Sequence, residues 1–176
     1  TVSNSLQYYN YTKVVLDTVK ISKSGSYLLQ KNAVASLKEL LLPKALVVTP
    51  NLHEATELVG FDVVNLKTME QAAAVIWKMG AENVVVKGGH LMGDPCDILF
   101  DGDKMIYFKN KRIETKNTHG TGCTFSSAIA AEIAKGKCVV EAVEKAKEYI
   151  TKAIEHSFSL GKGVGPTNHF FNLKND

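Results

Sequence analysis

Three short apolar runs punctuate the first half of the chain: Lys13–Asp17 (KVVLD), Ala45–Thr49 (ALVVT) and Asn83–Lys87 (NVVVK). Each is β-branched and continuous, the pattern of a strand buried on both faces. Between them lie segments of helical period. Lys31–Leu42 sets Val34, Leu37, Leu40 and Leu41 at helical spacing and is predicted to stop at Pro43. Leu52–Val59 is a predicted helix closed by Gly60. Thr68–Met79 is another, opened by Thr68 with Gln71 three residues later as in a capping box, and ended by Gly80. Strands that alternate with helices imply a parallel sheet covered on both faces.

The pattern changes after Gly88-Gly89. Asp97–Phe100 and Met105–Phe108 flank Asp101-Gly102-Asp103, which predicts a hairpin that adds antiparallel strands at one edge. Gly120–Lys135 is a long Ala-rich helix, Val139–Phe158 a second, and Gly161–Pro166 a Gly/Pro loop. Tyr8–Tyr11 shows no clear period, and Ile21–Tyr27 reads as a loop. The order is β-α-β-α-α-β, a hairpin, then two helices. No repeat or linker divides residues 1–176, so one domain is expected.

Composition narrows the class. The 176 residues are 45% apolar and 22% charged, which excludes collagenous, disordered and disulfide-stapled chains. No run reaches the roughly 18–20 apolar residues that span a bilayer, so no membrane partner is expected. The 21 basic and 18 acidic residues are interspersed, and the net charge is +3. That lacks the concentrated basic face of a nucleic-acid binder. Lys109–Arg112 is broken by Asn110 and reads as a solvated turn. The three cysteines are far apart, with no C-x-x-C pair, which suits a reducing, cytoplasmic setting. A start at Thr1 implies a processed chain, a tag remnant or a fragment.

Four clusters could carry chemistry. In Asn117-Thr118-His119-Gly120-Thr121-Gly122-Cys123-Thr124, two glycines precede a helix, whose first N–H groups and dipole form an anion site. Cys123 falls in its first turn, where that field favours the thiolate. The plain alternative is a tight turn with a small core thiol. In Thr49-Pro50-Asn51-Leu52-His53-Glu54, Asn51 suits an N-cap with Glu54 reaching back to it. The functional alternative is a carboxylate near a phosphate-bound Mg²⁺. Lys87 leaves a strand beside Gly88-Gly89 and could place its ammonium on a phosphate, with His90 a loop histidine. Asp17 ends the first strand, with Lys23-Ser24-Gly25 in the loop beyond. All four follow strand ends of one inferred sheet, where such sheets bind ligands. Anion cradle, lysine, carboxylates and thiol together are the equipment of phosphoryl transfer.

With these residues in view, the chain resembles the hydroxymethylpyrimidine/phosphomethylpyrimidine kinases of thiamine biosynthesis, in the ribokinase-like superfamily. The resemblance rests on Val14–Gly25 (VVLD to SKSG), Thr49–Ala55 (TPNLHEA), Val84–His90 (VVVKGGH), Lys116–Ala131 (KNTHGTGCTFSSAIAA) and Gly161–Phe170 (GKGVGPTNHF). It implies a three-layer α/β/α fold with a mostly parallel sheet and an antiparallel edge hairpin. It implies phosphorylation by ATP and Mg²⁺ of 4-amino-5-hydroxymethyl-2-methylpyrimidine, and of its monophosphate, in a cytoplasmic enzyme that is homodimeric at full length. Cys123 would be the base facing the substrate hydroxymethyl group, and Gly120, Thr121 and Gly122 the anion hole. Asn51 and Glu54 match the element for Mg²⁺ and phosphate. Lys87 and Thr118 would contact the nucleotide, Asp17 would lie near the metal, and Val19 would line the pyrimidine pocket.

Three departures stand out. The family's Asp-Pro-Val-Met is Asp17-Thr18-Val19-Lys20 here, which loosens the loop and puts a charge where an apolar residue normally sits. Val164 stands where the family often has His. The family fold also begins with further strands and helices before the equivalent of Val14, which carry most substrate contacts; a fragment of a longer protein or a truncated gene product is expected. A pyridoxal or pyridoxine kinase is the alternative on the same scaffold. A nucleotide-binding module without catalysis is the alternative of another class.

Overall fold

The computed structural model describes residues 1–19 and 31–173. Lys20 and the Lys23-Ser24-Gly25 segment lie outside the described residues. The chain divides into two compact units, Thr1–Lys111 and Arg112–Asp176.

The first unit is built on a five-stranded sheet in the order β1 to β5: β1 (Val15–Leu16), β2 (Val47–Val48), β3 (Val84–Val86), β4 (Cys96–Phe100) and β5 (Met105–Lys109). β1, β2 and β3 pair in parallel, while β4 runs antiparallel to both β3 and β5. Among the described residues four strands therefore point one way and β4 is reversed, as the hairpin signal predicts. Val48, Val84, Val86 and Ile98 join one core cluster with Leu52, Ala55 and Leu58 of α3 (Leu52–Val59) and Met69, Ala72, Ala73 and Ile76 of α4 (Leu66–Lys78). Val47, Val85 and Leu99 on the opposite face are fully buried too, which explains the unbroken apolar runs. Inside the hairpin turn, the Asp101 carboxylate accepts N–H bonds from Lys104 (2.7 Å) and Asp103 (2.9 Å), which hold its pKa below the ordinary range.

Three elements differ from, or add to, the sequence reading. Val2–Tyr8 forms α1, a helix that the sequence does not announce because only Ser3 of it is buried; the Ser3 hydroxyl donates to the Leu40 carbonyl (3.1 Å). The helix expected over Lys31–Leu42 is α only over Lys31–Ser36 (α2), then a π turn over Leu37–Leu41 and a 3₁₀ turn over Leu42–Lys44. Pro43 lacks an N–H and crowds the carbonyl four residues back, so the last turns cannot keep the α ladder. α4 begins two residues before Thr68, because Asn65 is the N-cap and Thr68 its N3 partner in the box.

The second unit pairs α5 (Thr121–Ala134) with α6 (Val139–Glu155), which ends before the expected Phe158. Phe125, Ile129 and Ile133 of α5, and Val143, Ala146 and Ile150 of α6, are buried. Among the described residues no helix is long and apolar enough to cross a membrane. The three cysteines form no disulfide.

Candidate functional site

In the first unit the C-terminal ends of β1, β2 and β3 bring together Asp17, Asn51, Glu54 and Lys87. The parallel ladder makes this happen. Thr49 N–H donates to the Leu16 carbonyl (3.0 Å), Lys87 N–H donates to the Pro50 carbonyl (2.8 Å), and Asn51 forms a further bridge with Lys87. Three strand exits are thus held side by side.

Lys87 Nζ lies 3.0 Å from Asp17 Oδ1, with the two side chains only 13% and 17% exposed. Thr49 Oγ1 donates to the same oxygen at 3.3 Å. Asp17 Oδ2 is buried without a hydrogen-bond partner. A buried carboxylate oxygen of that kind is costly unless a cation, a proton donor or water meets it. Glu54 is held from two sides: its Oε2 accepts from Asn51 N–H (2.8 Å) and Thr18 Oγ1 (3.0 Å), while Glu54 N–H donates to Asn51 Oδ1 (2.9 Å). The capping box expected of Asn51 and Glu54 is present. It fixes the rotamer of a carboxylate at a strand exit, so the cap and a ligand role are compatible. Asp17 and Glu54 present hard oxygen donors of the type Mg²⁺ takes, and the orphaned Oδ2 fits such an ion. Asn51→Ala removes the cap acceptor and is expected to cost about 1 kcal/mol, seen as a lower thermal midpoint, with Asn51→Asp restoring most of it.

Val19 is half-buried just beyond β1. The Lys20 charge expected to alter the pocket lies outside the described residues.

In the second unit, Gly120 is the N-cap of α5 at φ +83°, a left-handed conformation that glycine adopts without strain. No side chain caps the helix start. An uncapped start of this type presents backbone N–H groups to an anion. Thr121 Oγ1 donates to the Thr118 carbonyl at 2.8 Å, which tightens the entry. Cys123 follows in the first turn and is exposed rather than a core thiol. A cleft of about 560 Å³ opens beside it, with Thr124, Ser127, Tyr149 and His169 among its lining.

The tail that follows α6 packs onto this helix start. His119 N–H donates to the Gly165 carbonyl (3.0 Å) and Thr167 N–H to the His119 carbonyl (3.3 Å). His169 Nε2 sits 2.8 Å from Thr124 Oγ1, and Tyr149 O–H donates to the His169 carbonyl (2.9 Å). Neither Tyr149 nor His169 stands out in the sequence as a site residue. Their partners are 20 to 45 residues away in the chain, and no local pattern marks such pairs.

Comparison with known proteins agrees with the resemblance. The family model for phosphomethylpyrimidine kinase matches residues 1–168. The chain is 42% identical over 171 residues to the hydroxymethylpyrimidine/phosphomethylpyrimidine kinase of Bacillus subtilis, covering 96% of this chain and 63% of that protein. It is 47% identical over 169 residues to the thiamine biosynthesis bifunctional protein ThiED of Geobacter sulfurreducens, covering 96% of this chain and 34% of that protein. The pyridoxal kinase of Staphylococcus aureus in complex with AMP-PCP superposes with a TM-score of 0.90 at 32% identity, over 99% of this chain and 64% of that one. The α/β, ribokinase-like fold class follows from this likeness. The chain thus spans less than two thirds of the length of these relatives. With its family model matched over residues 1–168, the chain belongs to the phosphomethylpyrimidine kinase family.

Proposed function

We propose that this chain carries the phosphate-handling and base residues of an ATP-dependent kinase that phosphorylates 4-amino-5-hydroxymethyl-2-methylpyrimidine, and then its monophosphate, in thiamine biosynthesis. The observation that carries the proposal is the Asp17–Lys87 pair with its orphaned carboxylate oxygen, set at the exits of three parallel strands. Lys87 would leave Asp17 in part to meet the nucleotide phosphates, as a cation aimed at developing charge. Asp17 and Glu54 would hold Mg²⁺, which when bound neutralises charge on the phosphate oxygens. Thr118 would contact the nucleotide. The N–H groups at the start of α5, over Gly120, Thr121 and Gly122, would receive the transferring phosphoryl group. Val19 would line the ring pocket. Cys123 would accept the hydroxymethyl proton as the substrate oxygen bonds to the γ-phosphorus and the bond to the ADP oxygen breaks. A cytoplasmic location and a homodimeric full-length form belong to the same proposal.

Pyridoxal is the second reading, favoured by the likeness to the S. aureus pyridoxal kinase. ADP release with Mg-ATP, offered the hydroxymethylpyrimidine and pyridoxal in parallel, separates the two. Faster substrate-dependent ADP release with the pyrimidine is expected. Faster release with pyridoxal would replace the ring. Nucleotide binding without turnover on either would leave a non-catalytic nucleotide-binding module.

A further inference from the structure

We propose that Thr18 is a positioning residue that makes the Asp17–Glu54 pair prefer Mg²⁺ over the larger Ca²⁺, an inference that rests on reading those two carboxylates as a metal site. Thr18 is only 4% exposed, so its hydroxyl needs a partner inside the protein. That partner is Glu54 Oε2, 3.0 Å away and 36 residues on in the chain. The same oxygen accepts Asn51 N–H at 2.8 Å. Both bonds fall on Oε2, so among the described residues Oε1 is the Glu54 oxygen left for a cation. Asp17 is engaged in the same one-sided way. Its Oδ1 meets Lys87 and Thr49, while the buried Oδ2 has no hydrogen-bond partner. Each carboxylate thus offers one oxygen.

The two donors to Glu54 do different things. The Asn51 bond lies within the capping box and ties the Glu54 side chain to its own helix start. The Thr18 bond runs from α3 to the exit of β1, beside Asp17 in the chain. It extends the ladder in which Thr49 N–H donates to the Leu16 carbonyl (3.0 Å). The Thr18 hydroxyl is therefore a side-chain cross-link between the two segments that carry the carboxylates. Mg²⁺ demands short bonds in a near-ideal octahedron, and single oxygens at a fixed spacing suit it. Ca²⁺ takes more oxygens at longer range in a flexible shell and accepts a carboxylate through both of its oxygens. With Oε2 committed to two donors, Glu54 can serve through Oε1 alone. Losing the Thr18 hydroxyl would free part of Oε2 and loosen the spacing, and both changes favour the larger ion.

The test is calorimetric titration of AMP-PCP into the 176-residue chain with Mg²⁺, with Ca²⁺ and with a chelator, in wild type, Thr18→Val and Thr18→Ser. Valine keeps the buried volume and removes the hydroxyl, whereas serine keeps the hydroxyl. Wild type is expected to bind more tightly with Mg²⁺ than with Ca²⁺. Thr18→Val should reduce that preference about fivefold, the worth of one hydrogen bond, and Thr18→Ser should retain most of it. Binding in the chelator should be alike in all three, which separates the metal effect from damage to the nucleotide site. Thr18→Ala also removes the hydroxyl and takes the place of Thr18→Val if circular dichroism shows that variant unfolded. An unchanged preference in Thr18→Val, or equal weakening with both metals, would make Thr18 a packing contact and overturn the inference while leaving the metal site standing. Wild-type binding indifferent to both metals would overturn the metal site itself, and this inference with it.

Discussion

Gly88→Ala is expected to lower the thermal midpoint of the chain by roughly 6–12 °C, the consequence of about 3 kcal/mol of overpacking in a domain of this size. A Cβ on Gly88 would overlap the Cys96 carbonyl oxygen and come within 2.9 Å of Leu91 Cδ1. The obstacle is backbone, so no rotamer relieves it. Cys96 opens β4, which pairs with both β3 and β5, and moving it would disturb both ladders. The Gly88 N–H bond to Asp97 would be lost with the displacement. Gly89→Ala is the matched control, because nothing lies within 4 Å of its Cβ position. It should stay within about 0.5 kcal/mol of wild type. If Gly88→Ala melts with wild type, the packing of the β3 exit described above is wrong.

Cys123→Ala is expected to lower turnover by about 10²-fold or more while changing nucleotide affinity little. A factor of 10² corresponds to about 2.7 kcal/mol of barrier. The split between the two readouts follows from position. Cys123 lies in the first turn of α5 and lines the cleft, whereas an anion at that helix start would be held by backbone N–H groups that alanine preserves. Turnover and nucleotide titrations on the same preparations measure both. Undiminished turnover would remove Cys123 from the base role. A parallel loss of nucleotide affinity would mean that the substitution deforms the helix start rather than removing a base.

The sheet was legible because ALVVT and NVVVK are apolar without alternation, and their strands β2 and β3 are buried on both faces. β1 in KVVLD is only half-buried, short of the buried strand expected there. The hairpin was legible because Asp101-Gly102-Asp103 has turn chemistry of its own. Asn51 and Glu54 were legible as a cap because the box spans three residues. What could not be read locally were the long-range partners. Nothing near Asp17 announces that Lys87, 70 residues on, is its ion pair, or that Thr49 shares its oxygen. Thr18 stands where the resemblance places a proline, which implies a looser loop. In the structure its hydroxyl bonds Glu54 and is buried, so the substitution supplies a tether that proline could not. α1 carries no local signal because its long-range contacts are polar, Ser3 to the Leu40 carbonyl and Lys44 to Gln7, rather than an apolar stripe. The π turn at Leu37–Leu41 escaped because helical spacing does not separate α from π over five residues.

The central claim is that the Asp17–Lys87–Glu54 cluster receives a magnesium-bound nucleotide triphosphate. Calorimetric titration of Mg-AMP-PCP into the wild-type chain, Lys87→Ala and Asp17→Asn tests it most directly, with the fold of each variant checked by circular dichroism. The account predicts binding to wild type that weakens about tenfold or more in Lys87→Ala, the loss of one charge-assisted phosphate contact. Asp17→Asn should weaken it in the presence of Mg²⁺, and chelation of the metal should bring wild type close to that variant. Equal affinity for all three folded proteins, indifferent to Mg²⁺, would contradict it.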